Sequence, residues 1–169
     1  MLNKNIWKDK KVLITGHTGF KGSWLSIWLK MMGAEVVGYA LEPYTVWDNF
    51  VITKLESKIT HLISDVRDHD NLLNVFKKYK PEFVFHLAGI GGSPALTNAR
   101  PASFLVPSLM LNTNMMEAAR QLGVERYLFA STVGVYAPAE LLRENDVWCS
   151  FPSKNDWFSG WGKRVGELQ

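Results

Sequence analysis

The chain has 169 residues, of which 47% are hydrophobic and 21% charged, with a formal net charge of +3. That is enough apolar material for a full core in one domain; a disordered chain is excluded, and no apolar run approaches the length of a bilayer span. Lysines and arginines are scattered rather than gathered into a stripe, which disfavours nucleic acid but leaves room for a small anionic partner. Met1 to Lys10 has lysines but no apolar centre and no small-residue cleavage site, so no signal peptide is expected. The single cysteine, Cys149, can form no internal disulfide and has no partners for a metal cluster, so no metal is expected. Both observations point to a reducing, cytoplasmic setting.

The first predicted strand, Lys10 to Ile14, empties into three glycines spaced G-x-x-G-x-x-G: Gly16, Gly19 and Gly22. A helix carrying Trp24, Leu25, Ile27, Trp28, Leu29, Met31 and Met32 follows. Strand, glycine turn and helix in that order form a dinucleotide-binding fingerprint, the alternative being a glycine-rich turn with no ligand. Gly16 permits the tight turn, and Gly19 lets backbone N–H groups approach a pyrophosphate. Gly22 allows close packing of helix and strand, and the helix N-terminus favours the anion. Trp24 and Trp28, four apart, are expected to pack against the sheet.

Glu35 to Ala40 reads as a second strand, and His61 to Ser64 as a third that ends at Asp65. Leu72, Leu73, Val75 and Phe76 mark a short helix. Phe83 to Ala88 is a continuous apolar run, as expected of a central parallel strand covered on both faces. Met110 to Leu122 is a second long helix, and Arg126 to Ser131 a fifth strand running out at Thr132. Alternating strands and helices imply an α/β doubly wound parallel sheet of Rossmann type, whose ligands sit beyond the carboxyl ends of the strands.

Gly16, Asp65, Ala88 and Thr132 all fall at that edge. Asp65 is placed either to accept a hydrogen bond from an adenine amino group or to cap the helix after it. The second strand ends in Tyr39-Ala40-Leu41-Glu42, with an acid at Glu42 and no arginine, which leans towards NAD while leaving NADP possible. His86 lies inside an apolar strand and reads as a core histidine ahead of the alternative, a catalytic one.

The glycine triplet, Asp65-Val66-Arg67-Asp68, His86-Leu87-Ala88-Gly89 and Ser131-Thr132-Val133-Gly134-Val135-Tyr136 with a downstream lysine together resemble the extended short-chain dehydrogenase/reductase family of nucleotide-sugar epimerases, dehydratases and epimerase-reductases. The stretch Gly16 to Leu25, with Gly38 to Pro43, is similar to CDP-glucose 4,6-dehydratases. Gly91-Gly92, Pro101 to Phe104 and Met110 to Asn114 look more like GDP-fucose synthase. The resemblance implies a dinucleotide held by Gly16, Thr18, Gly19, Phe20, Gly22, Asp65, Val66, Leu87, Ala88, Gly89 and Lys163. It also implies a Ser/Thr, Tyr and Lys acting together on the sugar: tyrosinate as base, lysine lowering its pKa and holding the ribose, and the Ser/Thr hydroxyl on the reacting oxygen. Thr132 stands at the Ser/Thr position and Lys163 at the lysine.

Four residues before Lys163, where that family has its tyrosine, this chain has Ser159. A serine hydroxyl has a far higher pKa and a shorter reach, and Tyr136 belongs to the strand-end motif rather than to the triad. Val133 and Gly134 stand where the dehydratases carry acidic or polar groups, which argues against 4,6-dehydration, and Ser108 replaces a helix asparagine of the epimerase-reductases. Family members run to about twice this length, so the chain reads as a dinucleotide-binding Rossmann domain over residues 1–169, truncated before the substrate-binding part. The expected activity is that of an NAD(P)-dependent epimerase or epimerase/reductase in surface-polysaccharide synthesis. The alternatives are a CDP-glucose 4,6-dehydratase-like enzyme and a non-catalytic dinucleotide-binding fragment. A homodimer is implied for the family, through the helix bearing Trp157 and Trp161, which truncation would leave exposed.

Overall fold

The computed structural model describes residues 6–169; Met1 to Asn5, where the reading of the leader begins, lie outside the described residues. Two compact units are present among the described residues: 6–88 with 114–129, and 89–113 with 130–169.

The first unit holds the whole sheet. Its strands are β1 (Lys11–Thr15), β2 (Glu35–Ala40), β3 (Thr60–Ile63), β4 (Phe83–His86) and β5 (Arg126–Phe129), all parallel, in the order β3-β2-β1-β4-β5. Crossovers go one way from β1 to β2 and β3, and the other way to β4 and β5. The reversal of strand order therefore lies between β1 and β4, where an open α/β sheet leaves a crevice. Val12 sits between Val36 and Phe83, and Leu13 between Val37 and Val84. These β1 side chains are fully buried, as an apolar central strand requires. β4 and β5 stop at His86 and Phe129, short of the predicted Ala88 and Ser131.

Helix α1 (Phe20–Met31) follows β1, a short α2 (Asn49–Ile52) packs on it, and α3 (His69–Tyr79) connects β3 to β4. Asp68 caps α3 by accepting the Asn71 N–H at 3.1 Å, so the helix cap near the third strand is Asp68 and not Asp65. Trp24 and Trp28 do not pack on the sheet. α1 turns Gly22, Ser23, Ser26 and Leu29 inward instead and leaves both tryptophans exposed.

The second unit contains α4 (Pro94–Ala99), which the sequence reading missed, the first part of α5 (Pro101–Gln121) and α6 (Trp157–Leu168). α5 starts at Pro101 rather than Met110. Proline is well suited to a first helical turn, and Pro107 in the interior removes one hydrogen bond without ending the helix. From Asn114 onward α5 belongs to the first unit, burying Met115 and Ala118. Trp157 and Trp161 are half-buried rather than exposed: they pack edge-to-face with ring centroids 5.9 Å apart, and Phe151 lies against both. No helix among the described residues is long and apolar enough to cross a membrane.

Candidate dinucleotide and catalytic sites

The turn after β1 tolerates only glycine at two of its three positions. Gly16 has φ +74°, and a Cβ there would lie 3.0 Å from the Ala88 backbone nitrogen, where the chain leaves β4. A Cβ on Gly22 would lie 2.1 Å from the Gly16 carbonyl oxygen and 2.7 Å from the Gly16 carbonyl carbon and the His17 Cα. The contact that demands Gly22 is thus helix against turn, not helix against strand. Gly19 carries no such clash: a Cβ there would meet only the Gly16 carbonyl oxygen, at 3.4 Å. It is also the N-cap of α1, with no side-chain cap and no acid in the first turn. The N–H groups of Phe20 and Lys21 therefore have no intrahelical acceptor. A tight glycine turn that leads into an uncapped helix N-terminus fits a pyrophosphate.

The turn is braced from three sides. Thr18 Oγ1 donates to the Leu41 carbonyl at 3.0 Å, and Gly16 N–H to the Tyr39 carbonyl at 3.1 Å. His17 is buried, its ring filling the space over Gly38, where a Cβ would come within 2.3 Å. Its Nε2 lies 2.7 Å from His61 Nδ1 on β3, and Phe50 stands edge-on to it at 5.3 Å. Burial, aided by the neighbouring His61, pushes the His17 pKa down from 6.5 to about 3. Between those two values the unfolded chain binds the proton and the folded chain does not. Stability is therefore complete above pH 6.5 and falls as pH drops towards 3, by at most about 4–5 kcal/mol. Urea midpoints should be lower at about pH 5 than at about pH 7.5, and His17→Asn should shrink that difference; an unaltered pH slope would assign it to other groups.

Asp65, past β3, accepts from the Arg67 backbone N–H at 2.8 Å and from its guanidinium at 2.5–3.0 Å. That hydrogen-bonded guanidinium holds the carboxyl below its ordinary value. Asn114 Nδ2 donates to the carbonyls of Val66 and Arg67, and the Tyr39 hydroxyl lies 3.0 Å from Ser64 Oγ and 3.1 Å from the Asp65 carbonyl. Val66 is buried and Leu87 half-buried. Asn71 Nδ2 donates to Ser64 Oγ at 2.6 Å, so Tyr39, Asn71, His61 and Asn114 set this edge without having been singled out from the sequence; each is a polar side chain with a partner more than five residues away. Glu42 at the end of β2 is exposed. His86 is fully buried with Nδ1 2.8 Å from Thr15 Oγ1, which also accepts the Ala88 N–H at 3.1 Å.

The second unit carries Gly89, Thr132, Ser159 and Lys163. Thr132 caps a single 3₁₀ turn, Val133–Val135, its Oγ1 accepting the Gly134 N–H at 3.3 Å, which leaves its O–H proton available to a ligand. α6 approaches this turn closely because both partners are glycines. A Cβ on Gly160 would lie 2.5 Å from the Gly134 carbonyl oxygen, and one on Gly134 2.6 Å from Asp156 Cβ. Arg164 then locks the pair. Its buried guanidinium donates to the Val135 carbonyl from Nε at 3.0 Å and from Nη2 at 2.5 Å, and to the Ser150 carbonyl from Nη1, with Trp148 and Trp161 each 5.6 Å away. Ser159 and Lys163, four apart on α6, share one helix face. Lys163 is half-buried, and burial lowers its pKa from 10.5 to about 8; a Cβ on Gly89 would lie 4.0 Å from its Nζ. A cleft of about 460 Å³ is lined by Thr132, Tyr136, Glu144, Trp148 and Glu167 among others. Glu167 also accepts from the Ser131 hydroxyl. The two carboxylates of this cleft lie far along the chain from Thr132 and carried no local signal.

Residues 12–154 match the model of the NAD dependent epimerase/dehydratase family. Over 125 residues the chain is 42% identical to CDP-glucose 4,6-dehydratase of Salmonella typhimurium, a match covering 73% of this chain and 34% of the relative. An epimerase from Methanothermobacter thermautotrophicus superposes with a TM-score of 0.81 at 28% identity, over 98% of this chain and 47% of that one. The UDP-glucose 4-epimerase of Bifidobacterium longum, solved with NAD+ and UDP, shares the fold with a TM-score of 0.76 at 22% identity, over 93% and 47% of the two chains. The chain thus spans about a third of that curated relative and just under half of each of these structures. With a parallel sheet reversing at β1/β4, a glycine cradle at that reversal and a family model matching most of its length, the chain belongs to the NAD-dependent epimerase/dehydratase family of nucleotide-sugar enzymes.

Proposed function

We propose that the chain provides the dinucleotide-binding and proton-handling residues of a cytoplasmic nucleotide-sugar epimerase or epimerase/reductase that works through a 4-keto sugar. When bound, the dinucleotide supplies a hydride acceptor and donor. In this reading the N–H groups at Gly19, Phe20 and Lys21 hold its pyrophosphate, Asp65 and Val66 border the adenine, and Leu87, Ala88 and Gly89 flank the nicotinamide side. Thr132 donates its hydroxyl proton to the reacting sugar oxygen. Lys163, an ammonium below about pH 8, holds the ribose and stabilises a neighbouring oxyanion. The supporting observation is this pair: the Thr132 hydroxyl, whose oxygen accepts the Gly134 N–H and which is followed by Val133 and Gly134 rather than by an acid, and an ammonium of lowered pKa at Lys163. Without an acid there, loss of water is disfavoured over change of configuration.

The test is incubation with NAD and a panel of nucleotide-linked hexoses and 4-keto-6-deoxyhexoses, with products resolved by NMR. Inversion or reduction without loss of water is expected. Lys163→Met should lower the rate at least ~100-fold, and the wild-type rate should decline above about pH 8 as the ammonium is lost. No turnover across the panel would overturn the assignment. A second reading, 4,6-dehydration, is favoured by the 42% identity to CDP-glucose 4,6-dehydratase and by Glu144 and Glu167 in the cleft of Thr132. A 4-keto-6-deoxy product formed from a nucleotide-linked glucose would establish it instead.

A further inference from the structure

The corner between β3 and α3 uses its hydrogen-bond acceptors on its own groups. The Asp65 carbonyl accepts the Asp68 N–H at 3.1 Å and lies 3.1 Å from the Tyr39 hydroxyl. The carbonyls of Val66 and Arg67 accept from Asn114 Nδ2 at 3.3 and 3.0 Å. The Asp65 carboxylate is filled in the same way. Its Oδ1 accepts the Arg67 backbone N–H at 2.8 Å and Nε at 3.0 Å, and its Oδ2 accepts Nε at 2.9 Å and Nη2 at 2.5 Å. A carboxylate offers about four lone-pair sites, and these contacts take them all. The guanidinium comes from two residues away on a loop that Tyr39 and Asn114 already hold, so little further freedom is lost in keeping the pair together. Its hydrogen bonds are charge-assisted, about twice as strong as those between neutral groups. A neutral amino group is the weaker partner and does not displace it.

Resting on the reading of this edge as the adenine border of a dinucleotide site, we propose that Asp65 does not read the adenine 6-amino group but is a positioning residue for Arg67, and that the site therefore accepts a 6-oxopurine dinucleotide as well as an adenine one. A 6-amino group donates hydrogen bonds, whereas a 6-oxo group accepts them. A free carboxylate at this corner would select the amino form. A carboxylate whose lone pairs are filled selects neither, and the groups that remain are donors: Asp65 engages Arg67 through Nε and Nη2 and leaves Nη1 unengaged by it. Asp68, the other acid of the corner, is committed to the Asn71 N–H at the start of α3 and supplies no replacement acceptor there. The corner thus sets where the purine lies without discriminating at its 6-position.

The test is titration of the chain with NADH and with reduced nicotinamide hypoxanthine dinucleotide, which carries a 6-oxo group in place of the 6-amino group, followed by tryptophan-to-nicotinamide energy transfer. In the parent chain the hypoxanthine form is expected to bind no more than about threefold more weakly than NADH. Arg67→Met frees the carboxylate and should create a preference for NADH of about 10-fold, because a buried acceptor then goes unpaired with the oxo form. The double variant Asp65→Ala/Arg67→Met should lose that preference again. The Arg67 side chain is 42% exposed, so these variants should keep the parental far-UV circular dichroism. A preference for NADH of more than about threefold in the parent chain overturns the proposal. So does an Arg67→Met variant as indifferent as the parent, because the carboxylate then does not face the purine 6-position. Failure of both dinucleotides to bind overturns the dinucleotide reading itself, and the proposal with it.

Discussion

Gly22→Ala should abolish dinucleotide binding. The added methyl would sit 2.1 Å from a backbone carbonyl oxygen and 2.7 Å from two backbone carbons, none of which can swing aside like a side-chain end. Relief requires α1 to move away from the turn, taking the Phe20 and Lys21 N–H groups with it. The expected loss is at least ~100-fold in affinity for NADH, with about 2–4 kcal/mol of stability lost as well. Gly19→Ala is the control, because its Cβ would meet only the Gly16 carbonyl oxygen at 3.4 Å, an ordinary contact; its stability should be near parental, with any loss confined to the ligand. Tryptophan-to-nicotinamide energy transfer and urea denaturation measure the two quantities. Near-parental NADH affinity in Gly22→Ala would mean that the dinucleotide does not use this cradle.

Ser159→Tyr should have the largest effect in the opposite direction. Position 159 lies one helical turn before Lys163, on the same face of α6. A phenol placed there titrates beside an ammonium in a partly dry environment, and so its ionisation should fall below the ordinary value near 10 by about 1–3 units. A serine hydroxyl in the same place stays protonated at any working pH and cannot serve as base. Restoring the tyrosine should raise turnover of the nucleotide-sugar by about 10²–10⁴, the usual contribution of a positioned general base. Absorbance near 295 nm reads the phenol's titration independently of turnover. A lowered phenol pKa with no gain in rate would mean that another group is the base. Turnover already fast in the parent chain would mean the same.

The parts of the molecule legible in the sequence were those written in local signals. Val12-Leu13-Ile14 running into Gly16, Gly19 and Gly22 spelled out strand, turn and helix, because a fully buried central strand must be apolar and a turn that touches its own helix must be glycine. The alternation of strands and helices gave the parallel sheet. Thr132 and Lys163 were singled out only by their place in a familiar pattern, and that both lie in the second unit was not legible. The start of α5 was not, because Pro107 inside the helix breaks the local helical signal while tertiary packing carries the helix through it. Nor was the role of Asp65: that Asp68 three residues later caps α3 while Asp65 turns onto Arg67 depends on where the chain leaves β3.

Local chemistry thus dictated which segments are strands and helices, where the glycines must be and which hydroxyl and ammonium groups are available, since each depends on residues a few positions apart. Side-chain direction and long-range partnership were settled only by the fold. Trp24 and Trp28 have the spacing of a buried helix face, yet the backbone of α1 approaches the turn so closely that only glycine fits at position 22, the face bearing Gly22, Ser23, Ser26 and Leu29 is turned inward, and the aromatics are turned outwards. His17 meets His61 across 44 positions of sequence, and Arg164 meets Val135 across 29, because the chain's return brings them together. Burial then moves the His17 and Lys163 pKa values, and burial is a property of the packed structure, not of the neighbouring sequence.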